Sequence, residues 1–467
     1  MLKEFDQDTI AAVSTPPGEG GIGVIRLSGV EAIVIADRIF RSSKKLLVKD
    51  QAHLTAQHGY VISETAPGTC ENIDEVLLLL MRAPKSYTCE DVVEISAHGS
   101  QVALQAILSL AVRNGARLAA RGEFTKRAFL NGRIDLLQAE AVLDLIKAKT
   151  ELGRRWAISQ LKGVLSKKML FVKDTLVNIL SHLEASIDFP EDQIVLKSIA
   201  DVRTKLKFLE EDIIRLISKA SIGFIAKNGL RVVIAGRPNV GKSSLMNRLT
   251  KADRVIVTPY AGTTRDSVEE EVQIHGFLVK IVDTAGIQES DHPIEKEGIE
   301  RSKAAVATAD LILYVVDGSK PWNSEDGDLL KDLDGKRVIL VINKSDLPQC
   351  IDQTQIKKLT KELSIVPASC VLEGGVELLE NEIFCSITDG KVQISDEVII
   401  NSVRQKDLLQ KALHAIQEAG HSCASNLSPE LIAVDVRLAL DHLGVLVGEV
   451  ATDDILDVLF SQFCIGK

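Results

Sequence analysis

The sequence predicts a multidomain chain in which an α/β domain of the P-loop type is inserted into an all-α domain, behind a small α+β domain. Three observations support this fold class. Four short signatures occur in order between Gly236 and Asp346, and three of them follow apolar runs typical of buried parallel strands. Leucine-rich segments with helical periodicity lie on both sides of this block. Strand-like runs separated by turns precede them.

The first domain is assigned to residues 1–118, because strand-like runs at 24–27, 75–81 and 91–95 are separated by turns. Residues 18–23 fit the dinucleotide-binding pattern G-x-G-x-x-G, but that pattern must open a helix. Here it runs into a strand-like alternation, which argues against a Rossmann site.

The all-α domain is predicted in two pieces, residues 119–227 and 389–467, with the α/β domain at 228–388 inserted between them. Apolar residues recur at three and four positions in both pieces. Asp135 and Gln138 fit a capping box at the start of one helix. Insertions are tolerated at exposed connections whose ends are close together, which such a split helical domain would provide.

The first signature is the segment 236–243, which matches the P-loop pattern G-x-x-x-x-G-K-[ST]. We expect its backbone N–H groups and the following helix N-terminus to cradle phosphates. Lys242 is predicted to place its charge between the β- and γ-phosphates, and the Ser243 hydroxyl to ligate Mg²⁺. Lys242 is therefore a predicted catalytic residue.

Two further signatures are typical of switches that respond to a γ-phosphate. Thr264, within the segment 262–266, is predicted to ligate Mg²⁺ when the γ-phosphate closes its loop. Asp283 follows an apolar run and is predicted to hold Mg²⁺ through its water shell. The Gly286 N–H is predicted to sense the γ-phosphate.

The fourth signature, Asn-Lys-Ser-Asp at 343–346, predicts guanine selectivity, so the nucleotide is GTP. Asp346 can accept two hydrogen bonds from guanine N1 and N2, a donor pair that adenine lacks. GTPases usually show Ser-Ala-Lys in the loop on the purine side, and this chain has Pro367-Ala368-Ser369 there. We expect this loop to pack on the base through backbone N–H groups.

A second departure concerns the attacking water. Many small GTPases carry a glutamine directly after D-x-x-G, where this chain has Ile287. An apolar side chain cannot orient water, so a carboxylate in the adjoining segment is expected to do so. The candidates are Glu289, Asp291, Glu295 and Glu297.

Residues expected at the nucleotide come from four stretches of the chain. They are Asn239, Val240, Gly241, Lys242, Ser243 and Ser244; Thr258, Pro259, Tyr260, Ala261, Gly262, Thr263 and Thr264; Asp283, Thr284, Ala285 and Gly286; and Asn343, Lys344 and Asp346.

The net charge of −10 argues against a general nucleic-acid coat, but residues 113–173 contain fourteen Lys or Arg against five Asp or Glu. This block is either a footprint for a phosphate backbone or a helical face of solvated lysines. The chain has no apolar stretch long enough to span a membrane and no signal-peptide pattern at its N-terminus. Its seven cysteines show no metal spacing. We therefore expect a cytoplasmic protein with reduced thiols.

Seven short motifs spread along the chain are similar to those of one family, the tRNA-modification GTPases MnmE (TrmE). They lie at 15–18, 20–24, 122–124, 127–131, 138–141, 262–266 and 463–467. The resemblance covers essentially the whole chain, and the terminal C-x-G-K is its most specific part. It implies an N-terminal folate-binding domain that also dimerises, a helical domain split in sequence, and an inserted Ras-like GTPase domain.

The resemblance also implies how GTP is hydrolysed. Asn239 matches a family asparagine that ligates K⁺ beside the phosphates, and Thr258, Tyr260 and Thr263 fall where the switch loop completes that site. Two GTPase domains would meet across this K⁺, which would replace an arginine finger. Glu295 matches the family's catalytic glutamate, so the resemblance selects it from the four candidate carboxylates.

A folate pocket and a partner are implied in the same way. Arg26, Glu94, Arg133 and Lys467 match the positions that would bind 5-formyltetrahydrofolate or a related one-carbon folate. Cys464 would lie nearby, with either a chemical role or a structural role as a small hydrophobe. The implied partner is the FAD-dependent MnmG (GidA) protein, with which a homodimer of such chains forms a heterotetramer. Together they would modify C5 of the tRNA wobble uridine.

Two other functions fit part of the sequence. A GTPase switch in signalling or ribosome assembly would need no modification chemistry, and absence of folate binding would favour it. A membrane-associated GTPase would use the helical segments as a scaffold, but no segment has the length or aromatic face of an interfacial anchor.

Overall fold

The computed structural model of the chain describes residues 8–66, 69–188, 199–252, 269–283, 304–331, 333, 335–351, 356, 363–388 and 399–467. Among these residues, every helix is too short or too polar to cross a bilayer.

The N-terminal part forms a seven-stranded sheet with the order β3-β4-β5-β6-β2-β1-β7. Neighbouring strands are antiparallel except β1 and β7, which run parallel. The strands are β1 Ile10–Val13, β2 Gly20–Ser28, β3 Phe40–Ser42, β4 Thr55–Ala66, β5 Thr69–Met81, β6 Val92–Gly99 and β7 Arg117–Leu118. The glycine-rich segment opens β2, so the Rossmann reading is excluded as expected.

Two helices, α1 (Ala32–Ile39) and α2 (Gln101–Arg113), pack on this sheet. Their buried side chains join those of the strands in one hydrophobic core, with Ile35 and Ile107 fully buried against residues such as Leu78. The α+β character predicted for this part of the chain is therefore confirmed.

The helical segments follow the predicted pattern on both sides of the α/β domain. The first set is α3 Glu123–Leu130, α4 Leu136–Lys147, α5 Glu151–Leu161, α6 Val164–Asp188, α7 Ile199–Ser218 and α8 Ala220–Asn228. The capping box is present at the start of α4. The Asp135 N–H donates to Gln138 Oε1 at 3.0 Å, and the Gln138 N–H donates to Asp135 Oδ1 at 2.8 Å.

The α/β domain contains a six-stranded sheet with the order β13-β12-β11-β8-β10-β9. Five strands are parallel, and β9 pairs antiparallel with β10 at one edge. The strands are β8 Leu230–Ala235, β9 Glu269–Ile274, β10 Phe277–Asp283, β11 Leu311–Asp317, β12 Val338–Asn343 and β13 Ser364–Pro367. The helices with them are α9 Lys242–Ala252, α10 Ser324–Lys331 and α11 Glu377–Thr388.

The second helical set resumes after this domain with α12 Val403–Ala424, α13 Pro429–Val447 and α14 Asp453–Ser461. A mostly parallel sheet that interrupts two helical sets agrees with the predicted insertion.

The β9–β10 hairpin packs against α5. The ring of Trp156 meets that of Phe277 edge-on, with centroids 6.2 Å apart, and Trp156 is 7% exposed. Nearby, Lys149 Nζ lies 2.6 Å from Glu271 Oε1. A hydrophobic core therefore continues from the sheet of the α/β domain into the neighbouring helices.

The contacts divide the chain into two compact units. One contains the described residues up to Leu143, with Ser166–Leu170 and Leu443–Lys467; the other contains those of Asp144–Leu165 and Phe171–His442. The boundaries assigned from the sequence, at 118, 227 and 388, stay predictions.

Candidate functional site

The P-loop connects β8 to α9. Gly241 has a φ of +98°, and a Cβ added to it would lie 2.2 Å from Asn343 Nδ2, so the close approach requires glycine. Asn239 also has a positive φ of 64°, and it is exposed. This turned backbone is of the kind that converges N–H groups on a bound anion.

Lys242 is the first residue of α9 and is 5% exposed. Its Nζ donates hydrogen bonds to the carbonyl oxygens of Gly236 at 2.9 Å and Arg237 at 2.8 Å. Ser243 and Ser244 follow in the first helical turn, where both are exposed. The predicted P-loop residues are thus brought together around one turn.

Arg237 fixes the P-loop to α10. Its Nε donates to Asp326 Oδ1 at 2.8 Å, and the Tyr314 hydroxyl donates to the same oxygen at 3.3 Å. Burial, together with the Asp326 charge, raises the pKa of Tyr314, so the phenol stays protonated as a donor. Sequence reasoning missed this anchor, because Asp326 is more than eighty positions from the loop.

Asn343 ends β12 and is 2% exposed. Its Nδ2 donates to the carbonyl oxygen of Val240 at 2.8 Å, and its Oδ1 lies 3.5 Å from Cys370 Sγ. Its side chain therefore connects the segment 343–346 to the P-loop, across the carboxyl ends of the adjacent strands β12, β11 and β8.

Lys344 pairs with Asp317, the last residue of β11, with Nζ and Oδ2 2.7 Å apart. Burial of this carboxyl acts to raise its pKa, but hydrogen bonds from Lys344 and Ser319 outweigh burial and lower it. Asp317 was not predicted from the sequence. A sequence pattern could have indicated it: an apolar run of strand length, 311–316, is followed directly by this acidic residue. The same pattern precedes Asp283.

Asp346 accepts a hydrogen bond from Ser369 Oγ at 2.6 Å. The Ser345 N–H donates to the Ala368 carbonyl at 3.0 Å, so the two loops run side by side. Pro367 ends β13 and Ser369 is fully buried. Pro367 therefore belongs to the strand rather than to the loop, and Ser369 is the loop residue whose hydroxyl meets the carboxylate of Asp346.

Several residues predicted at the nucleotide lie outside the described residues. They are Thr258, Pro259, Tyr260, Ala261, Gly262, Thr263, Thr264, Thr284, Ala285, Gly286 and Glu295, with the other candidate carboxylates Glu289, Asp291 and Glu297. The backbone of Asp283 ends β10 beside Ile234 of β8, and its side chain is likewise outside the described part.

A second polar cluster lies in the other unit, on the N-terminal sheet. The antiparallel register of β2 and β6 sets Arg26 opposite Glu94, and Arg26 Nη2 lies 2.7 Å from Glu94 Oε1. Arg26 Nη1 also donates to the Gly466 carbonyl at 3.2 Å, and the Ser14 hydroxyl donates to the same oxygen at 3.1 Å. The C-terminal tail is thereby joined to β2.

Aromatic rings border this cluster. The Arg26 guanidinium lies 5.8 Å from the Tyr87 ring centroid and 5.5 Å from that of Phe124, and the Arg133 guanidinium lies 5.0 Å from that of Tyr87. Arg133 also donates to the Ser86 carbonyl at 3.0 Å. Sequence reasoning assigned neither ring to this cluster, although Phe124 lies in the motif 122–124, since isolated aromatic residues carry no spacing signal.

Lys467 completes the cluster. Burial and the positive charge of Arg26 lower the pKa of its amine, and Glu94 only partly offsets them. Cys464 is exposed, which argues against a structural role as a small buried hydrophobe. Its carbonyl oxygen, rather than its sulfur, makes the contact, by accepting from the Gly122 N–H at 3.4 Å.

The basic block at 113–173 is partly neutralised. Its cations in ion pairs include Arg117, Lys126, Arg127, Lys149 and Arg154. Arg127 is buried in its pairs, so solvation does not describe the whole block, and both interpretations of the block stay predictions.

Comparison with known proteins covers the chain almost from end to end. The profile of the GTP-binding protein TrmE N-terminus matches residues 9–133, and that of the MnmE helical domain matches residues 136–464. The tRNA modification GTPase MnmE of Thermoanaerobacter pseudethanolicus is 45% identical over 98% of this chain and 99% of its own. This chain belongs to the MnmE (TrmE) family of tRNA-modification GTPases.

Other members of the MnmE family are similarly close. That of Clostridioides difficile is 42% identical over 99% of this chain and all of its own, and that of Geobacillus thermodenitrificans is 43% identical over both full lengths. Family membership confirms the predicted multidomain fold class and the prediction of a GTPase.

Among solved structures, Era of Aquifex aeolicus is 29% identical over 40% of this chain and 66% of that chain, with a TM-score of 0.28. The G domain of T. maritima FeoB is 27% identical over 34% of this chain and 97% of that chain, with a TM-score of 0.26. Scores this low carry no argument, and the MnmE assignment rests on the full-length relatives.

Proposed function

We propose that this chain hydrolyses GTP to drive modification of tRNA at C5 of the wobble uridine. It would act with an FAD-dependent partner of the MnmG (GidA) type and a one-carbon folate, adding an aminomethyl or carboxymethylaminomethyl group. The single observation that carries the proposal is the full-length relationship to proteins named tRNA modification GTPase MnmE.

The first part of the proposal concerns nucleotide binding. It assigns phosphate binding to the P-loop and guanine selection to Asp346. The buried Lys242 ammonium and the turned backbone beside it suit a polyphosphate. Ser243, Thr264 and Asp283 would hold Mg²⁺, which supplies positive charge to the phosphates. Ser243 is exposed at the start of α9, so a bound ion can reach its hydroxyl.

The second part of the proposal concerns GTP hydrolysis. It assigns orientation of the attacking water to Glu295, and a K⁺ site to Asn239, Thr258, Tyr260 and Thr263. The exposed Asn239, held at a positive φ in the P-loop, supports a role for its amide oxygen as a cation ligand. K⁺ would supply the charge that an arginine finger supplies in other GTPases, and GTPase-domain dimerisation would complete its site.

The third part of the proposal, folate binding, rests on the polar cluster around Arg26 of β2 and Glu94 of β6. A pterin ring offers polar edges and an aromatic face, and its glutamate tail is anionic. The carboxylate of Glu94 suits pterin N–H donors, the Tyr87 ring suits the aromatic face, and Arg26, Arg133 and Lys467 suit the anion. The residues present therefore fit a folate, which would supply the one-carbon unit when bound.

The decisive experiment compares GTP turnover at saturating nucleotide in KCl and NaCl at equal ionic strength. Strong stimulation by K⁺, lost in Asn239→Ala, supports hydrolysis across a K⁺-dependent dimer. Equal rates in both salts would remove that mechanism. Failure to bind 5-formyltetrahydrofolate would favour the alternative of a GTPase switch in ribosome assembly or signalling.

A further inference from the structure

Asp326 is a buried carboxylate in the first turn of α10, where it is 2% exposed. Its Oδ1 accepts hydrogen bonds from Arg237 Nε at 2.8 Å and from the Tyr314 hydroxyl at 3.3 Å. Its Oδ2 accepts from the Asn323 N–H at 3.4 Å. Burial of a carboxylate is costly unless cations and donors satisfy it, and here each oxygen has a donor. Asp326 is therefore a fixed acceptor for the Arg237 guanidinium.

The start of the P-loop is fixed by the same neighbouring elements. β11 runs parallel to β8, and its register sets Tyr314 opposite the last residue of β8. The next residue, Gly236, has a φ of +142°, and a Cβ added to it would lie 2.3 Å from the Val315 carbonyl oxygen. The P-loop therefore leaves β8 with little freedom, because Gly236 packs closely on β11 and Arg237 is paired with Asp326.

The backbone held in this way is the backbone that Lys242 contacts. The Lys242 ammonium donates to the carbonyl oxygens of Gly236 at 2.9 Å and Arg237 at 2.8 Å. Lys242 is 5% exposed, so little water reaches it to replace these carbonyls. A displacement of Arg237 would therefore displace the ammonium as well, and a charged group that binds a ligand depends on residues that hold it in place.

A second acidic residue lies beside Arg237. Glu325 Oε2 is 3.7 Å from Arg237 Nη1, and the Glu325 side chain is 71% exposed. An exposed ion pair at this distance contributes little, because water screens it. Glu325 and Asp326 thus carry the same charge and face the same guanidinium, but only Asp326 holds it in a buried contact.

We propose that Asp326 is a positioning residue for nucleotide binding, which fixes the P-loop through Arg237 so that the Lys242 ammonium meets the β-phosphate. The proposal rests on the proposed role of Lys242 at the phosphates. Asp326 acts on the phosphate side of the site and not on the base. Its loss should therefore weaken a nucleotide that carries a β-phosphate and spare one that lacks it.

The test compares GDP with GMP, measured with the full-length chain by competition against a fluorescent GDP analogue. GMP lacks the β-phosphate that a P-loop lysine contacts, so the ratio of the two dissociation constants reports on that contact. Asp326→Ala is expected to lower the preference for GDP over GMP by about tenfold, the order of magnitude for losing a hydrogen bond to a charged group. Arg237→Ala is expected to have the same effect.

Glu325→Gln is the matched control, because it removes the neighbouring acid that faces the same guanidinium at the surface. It should leave the preference for GDP unchanged. If Glu325→Gln and Asp326→Ala change the preference equally, the cause is charge near the phosphates and not positioning, and the proposal is overturned. Equal weakening of GDP and GMP by Asp326→Ala would show general loosening of the site and overturns it as well, as does an unchanged preference.

The double variant Arg237→Ala with Asp326→Ala tests whether the two side chains act through one contact. It should lose no more of the preference than either single variant does, since substitutions that remove the same contact are not additive. Losses that add would overturn the proposal. If Asp326→Ala fails to fold, Asp326→Asn keeps the size of the side chain and removes its charge. It is expected to lower the preference by a smaller factor, and no change there overturns the proposal.

Lys242→Ala separates this proposal from the proposed function on which it rests. It should abolish the preference for GDP over GMP altogether. If the preference survives that change, the role of Lys242 at the phosphates is wrong, a result distinct from failure of the Asp326 proposal alone.

Discussion

Asn343 Nδ2 donates a 2.8 Å hydrogen bond to the carbonyl oxygen of Val240, and so joins the segment 343–346 to the P-loop across 103 positions of sequence. Both residues are almost completely buried. A buried amide donor that loses its partner costs about 1–3 kcal/mol. The hydrogen bond therefore couples the geometry of the two loops, so a substitution that shifts one loop should also shift the other.

Gly241→Ala is expected to abolish GTP binding. The new Cβ would lie 2.2 Å from Asn343 Nδ2, so it would break the contact between the two loops. Binding is measured with a fluorescent GTP analogue, and folding by circular dichroism. Gly335→Ala is the matched control, since Gly335 also has a positive φ, of +78°, but an added Cβ would have no neighbour within 4 Å. Loss of binding in both variants would point to backbone strain instead of the clash.

Gly466→Ala is expected to weaken folate binding at least about tenfold while leaving GTP turnover unchanged. Its φ is +92°, and an added Cβ would lie 2.4 Å from the Val13 carbonyl oxygen, which forces the tail from β1. Binding is followed by calorimetry with 5-formyltetrahydrofolate. Gly132→Ala, at a φ of +73° in open space, is the control. Unchanged folate affinity in Gly466→Ala would remove the tail from the proposed pocket.

Asp317→Asn is expected to lower the free energy of unfolding by about 2 kcal/mol at pH 7, because Lys344 loses a charged partner. The folded-state pKa of Asp317 is depressed, so its contribution is present above its ordinary value of 3.8 and is lost as the pH falls further. Urea unfolding at pH 7 and pH 3.5 should therefore show a smaller difference from the parent in acid. Asp328→Asn, at an exposed pair with Lys331, should show no difference at either pH.

Trp156→Ala is expected to destabilise the unit that contains it by about 3–5 kcal/mol, as large aromatic truncations in cores do. Lys149→Ala should cost less than about 1 kcal/mol, since Lys149 is 47% exposed in its ion pair with Glu271. Urea midpoints followed by circular dichroism compare the two. Equal losses would mean that the ion pair contributes as much as ring packing to holding the β9–β10 hairpin on α5.

Sequence patterns were sufficient where a feature is local. The strands before Gly236, Asp283 and Asn343 follow from apolar runs, and the start of α4 follows from the spacing of Asp135 and Gln138. These strands and this helix start depend on residues only a few positions apart, so the local sequence pattern is enough to predict them.

Features that depend on distant segments could not be found in this way. Asp317 meets Lys344 only because β11 lies beside β12, and Ser369 meets Asp346 only because β13 follows in the same sheet. The tail's place beside Arg26 came from family resemblance alone, because no local pattern links β2 to residues more than four hundred positions away.

The hydrogen bond between Ser14 and Gly466 joins residues 452 positions apart. The entropy lost on closing a flexible loop rises only with the logarithm of its length, by about 0.6 kcal/mol for each doubling. A whole domain added to the intervening chain therefore hardly changes the cost of docking the tail on the N-terminal sheet. Lengthening the chain between the two halves of the helical region is therefore thermodynamically compatible with keeping the contact between β2 and the tail.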